Sequence, residues 1–111
     1  MNWIKIDSID KLNELKEFSI DNNILIFKYS PNCAVNYVVR NLLEREWNEG
    51  EMNMKTYLLD VISDKQISKL IESEFGIKHE SPQVLILNKS KLLYSASHGK
   101  VLFSEIRKFA N

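Results

Sequence analysis

The sequence predicts an α/β fold, a mixed sheet flanked by helices, from three features of its residue pattern. Short apolar runs suited to strands alternate with longer stretches that carry apolar residues at helical spacing. One run, Ile24-Leu25-Ile26-Phe27-Lys28-Tyr29, is apolar on both faces, as a central strand covered on two sides requires. The last two runs are separated only by the polar stretch Asn88-Lys89-Ser90-Lys91, which predicts an antiparallel hairpin.

Taken in order, Trp3 to Ile6 reads as a first strand. Ser8 caps a helix whose stripe is Ile9, Leu12, Leu15 and Phe18, and Asn22-Asn23 ends it. The second strand is Ile24 to Tyr29. Ser30-Pro31-Asn32 leads from it into a helix marked by Val35, Val38, Val39, Leu42, Leu43 and Trp47, closed by Gly50. Thr56 to Val61 is a third strand. Ser63-Asp64 offers an N-cap for a helix with Ile67, Leu70, Ile71 and Phe75, and Gly76 suits its C-terminal end. Val84 to Leu87 and Leu92 to Ala96 form the hairpin. Past Gly99, a last helix presents Leu102, Ile106 and Phe109 inward, with Arg107 and Lys108 near its C-terminal end. Trp3, Trp47 and Tyr57 read as core aromatics. The order is βαβαβαββα, with parallel pairs at the sheet centre.

A chain of 111 residues, 44% of them hydrophobic, fits a single domain spanning residues 1–111 without disulfide staples. Fifteen Lys and Arg balance fifteen Asp and Glu, so the basic footprint of a nucleic-acid binder is missing. The apolar runs are far too short to span a bilayer. No basic start precedes an apolar secretory core, and one cysteine makes no intrachain disulfide, so a reducing cytoplasm is the expected location.

That cysteine, Cys33, stands where the second strand pattern ends and the second helix pattern begins. Free amides at a helix N-terminus carry partial positive charge and favour thiolate, the reactive form. The simpler alternative is a small buried hydrophobe. Cys33 precedes the apolar stripe rather than lying in it, and Pro31, Asn32 and Asn36 around it are polar or turn-forming, which favours the reactive reading. The loop also lies at the carboxyl end of a central strand, where sites in open α/β sheets collect.

Other motifs weigh less. From the residues alone, Pro82 in His79-Glu80-Ser81-Pro82-Gln83 is a loop proline that stops a helix. His79, His98 and Cys33 match no compact metal-ligand spacing, so no metal site is expected. Ser30 and Ser81 read as turn residues that can also reach a thiolate. Lys28 either lends positive charge near Cys33 or snorkels at a sheet edge.

Together, the element order, a cysteine heading the second helix and a Ser-Pro before the fourth strand resemble the thioredoxin-like fold. Within it the chain is similar to the YtxJ-like monothiol bacilliredoxin family. His79-Glu80-Ser81-Pro82-Gln83-Val84 resembles that family's hallmark segment, Phe27-Lys28-Tyr29-Ser30 its Phe-Lys-His-Ser, and Ala96-Ser97-His98 the Ser-His before its last helix. The site differs: Asn32-Cys33-Ala34-Val35-Asn36 stands where the family commonly has Thr-Cys-Pro-Ile-Ser. Asn36 occupies the position of the resolving cysteine of dithiol relatives and can still donate a hydrogen bond toward sulfur.

The resemblance implies a one-cysteine thiol–disulfide oxidoreductase with no bound cofactor. Cys33 would be its nucleophile. Pro82 would be cis and lie across from it, and with Ser81, Asn36 and His98 it would contact substrate. The implied partners are S-thiolated proteins and a low-molecular-weight thiol, bacillithiol, as co-substrate. A second class remains open, a redox-inactive thioredoxin-fold module that binds other proteins. An iron–sulfur carrier of the monothiol glutaredoxin kind would need a Cys-Gly-Phe-Ser site, absent here.

Overall fold

Five strands form one sheet in a computed structural model that describes residues 1–111. They are β1 (Trp3–Lys5), β2 (Ile24–Tyr29), β3 (Lys55–Asp60), β4 (Gln83–Asn88) and β5 (Lys91–Ser97), in spatial order β1-β3-β2-β4-β5. β3 runs parallel to both β1 and β2, while β4 is antiparallel to β2 and to β5. The apolar run Ile24 to Phe27 is fully buried because β2 is the middle strand, with helices on both faces.

Alternation along the strands sorts the core into two layers. Ile24 and Ile26 join Tyr57, Leu59, Leu85 and Leu87 against α1 (Ile9–Phe18) and α3 (Lys65–Phe75). Leu25 and Phe27 join Leu58, Val84 and Ile86 against α2 (Ala34–Glu46) and α4 (Phe103–Ile106). Each fully buried Leu, Ile or Phe contributes about 1.5–3 kcal/mol of transfer free energy. Trp47 and Tyr57 are buried, whereas Trp3 is half-buried, its ring edge-on to Phe27 at 5.8 Å. No helix is long and apolar enough to cross a membrane.

The helix ends follow local chemistry. Ser8 caps α1 by accepting the Lys11 amide at 3.1 Å. Gly76 ends α3 at φ +63°, a conformation that favours glycine. Asp64 precedes α3 without a side-chain cap bond; Asp60 shapes the approach instead, accepting the amides of Ile62 and Ser63 at 2.9 and 3.0 Å. α2 ends at Trp47, and Gly50 lies beyond it in a turn closed on the Asn48 side chain.

Four helical faces differ from the sequence reading. On α1, Ile9 is about half exposed, and Leu12 and Leu15 carry the buried stripe. On α2, Val35, Val38 and Leu42 face outward, and the buried stripe is Asn36, Leu43 and Trp47, with Val39 half-buried. The two stripes share one period, so spacing cannot choose between them, and Leu43 and Trp47 fill the layer under β2. On α3, Leu70 is exposed while Ile67 and Ile71 are buried. The last helix is a single turn, α4, followed by a 3-10 turn at Arg107–Phe109. Leu102 is its exposed N-cap, and Val101 takes the buried place.

Candidate functional site

Cys33 is exposed and forms the N-cap of α2, with extended backbone at φ −119° and ψ 118°. Its amide donates to the Ser30 carbonyl at 3.3 Å, and its own carbonyl accepts the Asn36 amide at 3.1 Å. The loop is thus folded onto the first helical turn. The backbone amide of Asn36, then that of Val35, then the Asn36 side chain hold the thiol below its ordinary pKa, against a small opposing effect of desolvation. The Cys33 side chain makes no N-cap bond of its own, which leaves the open amides of the first turn to favour the thiolate.

Asn36 is almost completely buried. Its Oδ1 accepts the Ser30 amide at 2.9 Å, whereas its Nδ2 is buried without a hydrogen-bond partner. One end of the side chain therefore anchors the strand-to-helix loop, and the other holds a spare donor on the thiol side. The anchoring role is not visible in sequence. An Asn buried in the first turn of a helix whose other stripe is apolar is the signal that points to it.

The Ser81–Pro82 peptide is cis and Pro82 is buried. The Pro82 carbonyl accepts the His98 amide at 2.9 Å, tying the approach to β4 to the 3-10 turn His98–Lys100. That turn packs against α2, so Ser81, Pro82, His98 and the helix headed by Cys33 gather at one end of the sheet. His98 has φ +55° and places Nε2 3.7 Å from Glu80 Oε2, an ion pair only when the imidazole is protonated. The Ser97 hydroxyl first, and His98 with the other nearby cations after it, hold the Glu80 carboxyl below its ordinary range.

Lys28 is neither a snorkelling residue nor at a sheet edge. It lies on the central strand, fully buried, on the α3 side, and its Nζ has no hydrogen-bond partner. Burial pulls its pKa down to about 8, against the attraction of Glu72. His79 lies near the same charges: burial and Lys28 lower its pKa, while Glu72 and Glu80 oppose them. The Glu72 carboxylate accepts the His79 amide at 2.5 Å, and Ser68 Oγ lies 3.4 Å from His79 Nδ1.

The outer face of α2 is apolar. Val35, Tyr37, Val38 and Leu42 on α2 and Ile62 after β3 are all about half exposed or more. This band comes from the outward stripe of α2.

Solved structures share this architecture. An oxidoreductase candidate with a thioredoxin fold is 25% identical, with a TM-score of 0.76 over 96% of this chain and 91% of that one. Thioredoxin of Malassezia sympodialis is 15% identical, with a TM-score of 0.73 over 97% and 86% of the two chains. Thioredoxin of Trypanosoma brucei brucei is 13% identical, with a TM-score of 0.75 over 96% and 86%. The fold is thioredoxin-like. A sequence profile of the family described as monothiol bacilliredoxin BrxC matches residues 4–106, nearly the whole chain. With that match, on a thioredoxin-like fold whose single cysteine heads α2, the chain belongs to the monothiol bacilliredoxin BrxC family.

Proposed function

We propose that this chain is a cytoplasmic one-cysteine thiol–disulfide oxidoreductase that removes a low-molecular-weight thiol, bacillithiol, from S-thiolated proteins. The observation that carries the reading is the exposed Cys33 thiol at the N-terminus of α2, with its pKa lowered by the first amides of that helix. Family membership supports thiol oxidoreductase chemistry, and the family's description is what suggests bacillithiol as the cap.

In the first step Cys33 thiolate attacks the cap sulfur of the protein's mixed disulfide. A Cys33–cap disulfide forms, the old disulfide breaks, and the target protein leaves as a thiolate that takes up a proton. In the second step a free small thiolate attacks the cap sulfur on Cys33. It leaves as a symmetrical small disulfide, and Cys33 returns to thiolate. The second thiol must come from outside, because the position three residues on is Asn36 and the chain has no other cysteine. Pro82 and the Ser81 backbone would hold the incoming disulfide in extended contact.

Intact mass tests this directly. After mixing with a bacillithiolated protein, the natural chain should gain one bacillithiol while the target loses it. A Cys33→Ser variant should gain nothing. Absence of transfer to the natural chain would overturn the reading. The band of Val35, Tyr37, Val38 and Leu42 favours one second reading, a module that binds proteins with Cys33 as bystander. An inert Cys33 with a stable protein complex on that band would establish it.

A further inference from the structure

We propose that the cavity between α3 and the segment before β4 is an anion subsite that takes the carboxylate portion of the small thiol exchanged at Cys33. The proposal rests on the function above and adds where the cap is recognised.

The cavity holds about 590 Å³ and is lined by Lys65, Ser68, Lys69, Glu72, Lys78 and His79, with Val61 and Ile62 at its β3 end. Lys65, Lys69 and Lys78 take part in no ion pair. The one lining carboxylate, Glu72, is engaged by the His79 amide. Beneath this wall Lys28 points from β2 to the α3 side, fully buried, its ammonium unpartnered and coupled in charge to Glu72 and His79. A buried cation without a hydrogen-bond partner is costly unless something anionic joins it. Three lining lysines set against one engaged carboxylate, with the Lys28 ammonium buried behind Glu72 and His79, make the cavity a place for negative charge, and Ser68 and His79 add donors suited to carboxylate oxygens.

Position ties the cavity to the thiol. Val61 donates its amide to the Tyr29 carbonyl at 3.0 Å, so the cavity's β3 wall ends level with the end of β2, four residues before Cys33. Gln83 pairs with Lys28, so the His79 segment enters from that same edge of the sheet. The cavity and the Cys33 loop thus lie at the same end of the sheet, so a small molecule whose sulfur meets Cys33 can extend over that edge towards Lys65, Lys69 and Lys78.

Two measurements on the full chain test the proposal. The first follows the His79 imidazole resonances by NMR during titration with succinate, at constant ionic strength, with inorganic phosphate as a parallel arm. Saturable succinate shifts are expected, weakened about tenfold or more in a Lys65→Glu/Lys69→Glu variant. No saturable shift, an unchanged affinity in the variant, or binding of phosphate without succinate would overturn the assignment.

The second compares thiolation of Cys33 by the disulfide of mercaptosuccinate with thiolation by that of 2-mercaptoethanol, which is uncharged. The variant should slow only the first reaction, again about tenfold. Succinate binding with an unchanged rate ratio would mean that the cavity is an anion site but not the cap's. Failure of both disulfides to react would defeat the proposed function and with it the cap assignment, while the titration would still decide separately whether the cavity binds an anion.

Discussion

Asn36 Oδ1 accepts the backbone amide of Ser30 at 2.9 Å, so the residue three positions after the candidate nucleophile also fixes the loop that presents it. In dithiol relatives a resolving cysteine sits at that position. Here an amide side chain anchors the loop with one end and faces the thiol with the other, and the chain gives up self-resolution for a fixed loop.

Replacing Asn36 by Ala should do two things at once. It leaves the Ser30 amide without its partner, a loss of about 1–3 kcal/mol in unfolding free energy. It also removes a donor that favours the Cys33 thiolate, so the midpoint of alkylation rate against pH should rise from a wild-type value below the free-thiol figure of about 8.5. Asn36→Asp keeps an acceptor for Ser30 and sets a carboxylate beside the sulfur, so its midpoint should rise further with less loss of stability. A wild-type midpoint at or above the free-thiol value would remove the thiolate from the mechanism.

An Asn36→Cys variant should close a disulfide with Cys33 under mild oxidant. Residues three apart in the first helical turn lie on nearly one face, within the roughly 7 Å between Cα atoms that such a bond allows. The variant should then release a bound small thiol unaided, seen as loss of the adduct mass without added thiol. Two free thiols after oxidation, or dimers alone, would contradict the placement of Cys33.

Lys28→Met should stabilise the protein near neutral pH. Displacing the ammonium from 10.5 to about 8 corresponds to a penalty on the order of 3 kcal/mol. The folded pKa lies below the unfolded one, so between them the unfolded chain holds the extra proton and stability rises with pH. The penalty is complete below about 8 and fades towards 10.5. Denaturant unfolding at several pH values should show the natural chain gaining on Lys28→Met across that window. A pH-independent difference would mean that Lys28 is not buried as a cation. The same variant should bind succinate more weakly, because it removes a buried positive charge behind Glu72 and His79 of the cavity wall.

Ile71→Ala and Leu70→Ala test the face of α3. Ile71 is fully buried and its truncation should cost about 2–5 kcal/mol, whereas Leu70 is exposed and its truncation should fall within about 0.5 kcal/mol. Comparable losses at the two sites would mean that the helix is rotated.

The sequence by itself determined the element order, the central place of Ile24 to Tyr29, the hairpin at Asn88 to Lys91 and the position of Cys33 at a strand-to-helix junction. These are local properties: period, capping and turn chemistry act over a few residues and read the same in any context. Tertiary structure decided the rest. Val35, Val38 and Leu42 share their spacing with Asn36, Val39 and Leu43, and only the layer under β2 selects the second set to be buried. Lys28 reads from its own chemistry as a charge near Cys33 or a snorkelling side chain, and the packing of α3 over β2 makes it a buried cation. Asn36 meets Ser30, His98 meets Pro82, and Lys28 meets Glu72 and His79 only once the chain has folded back on itself. Side chains far apart in sequence acquire their chemistry from neighbours that no local pattern specifies.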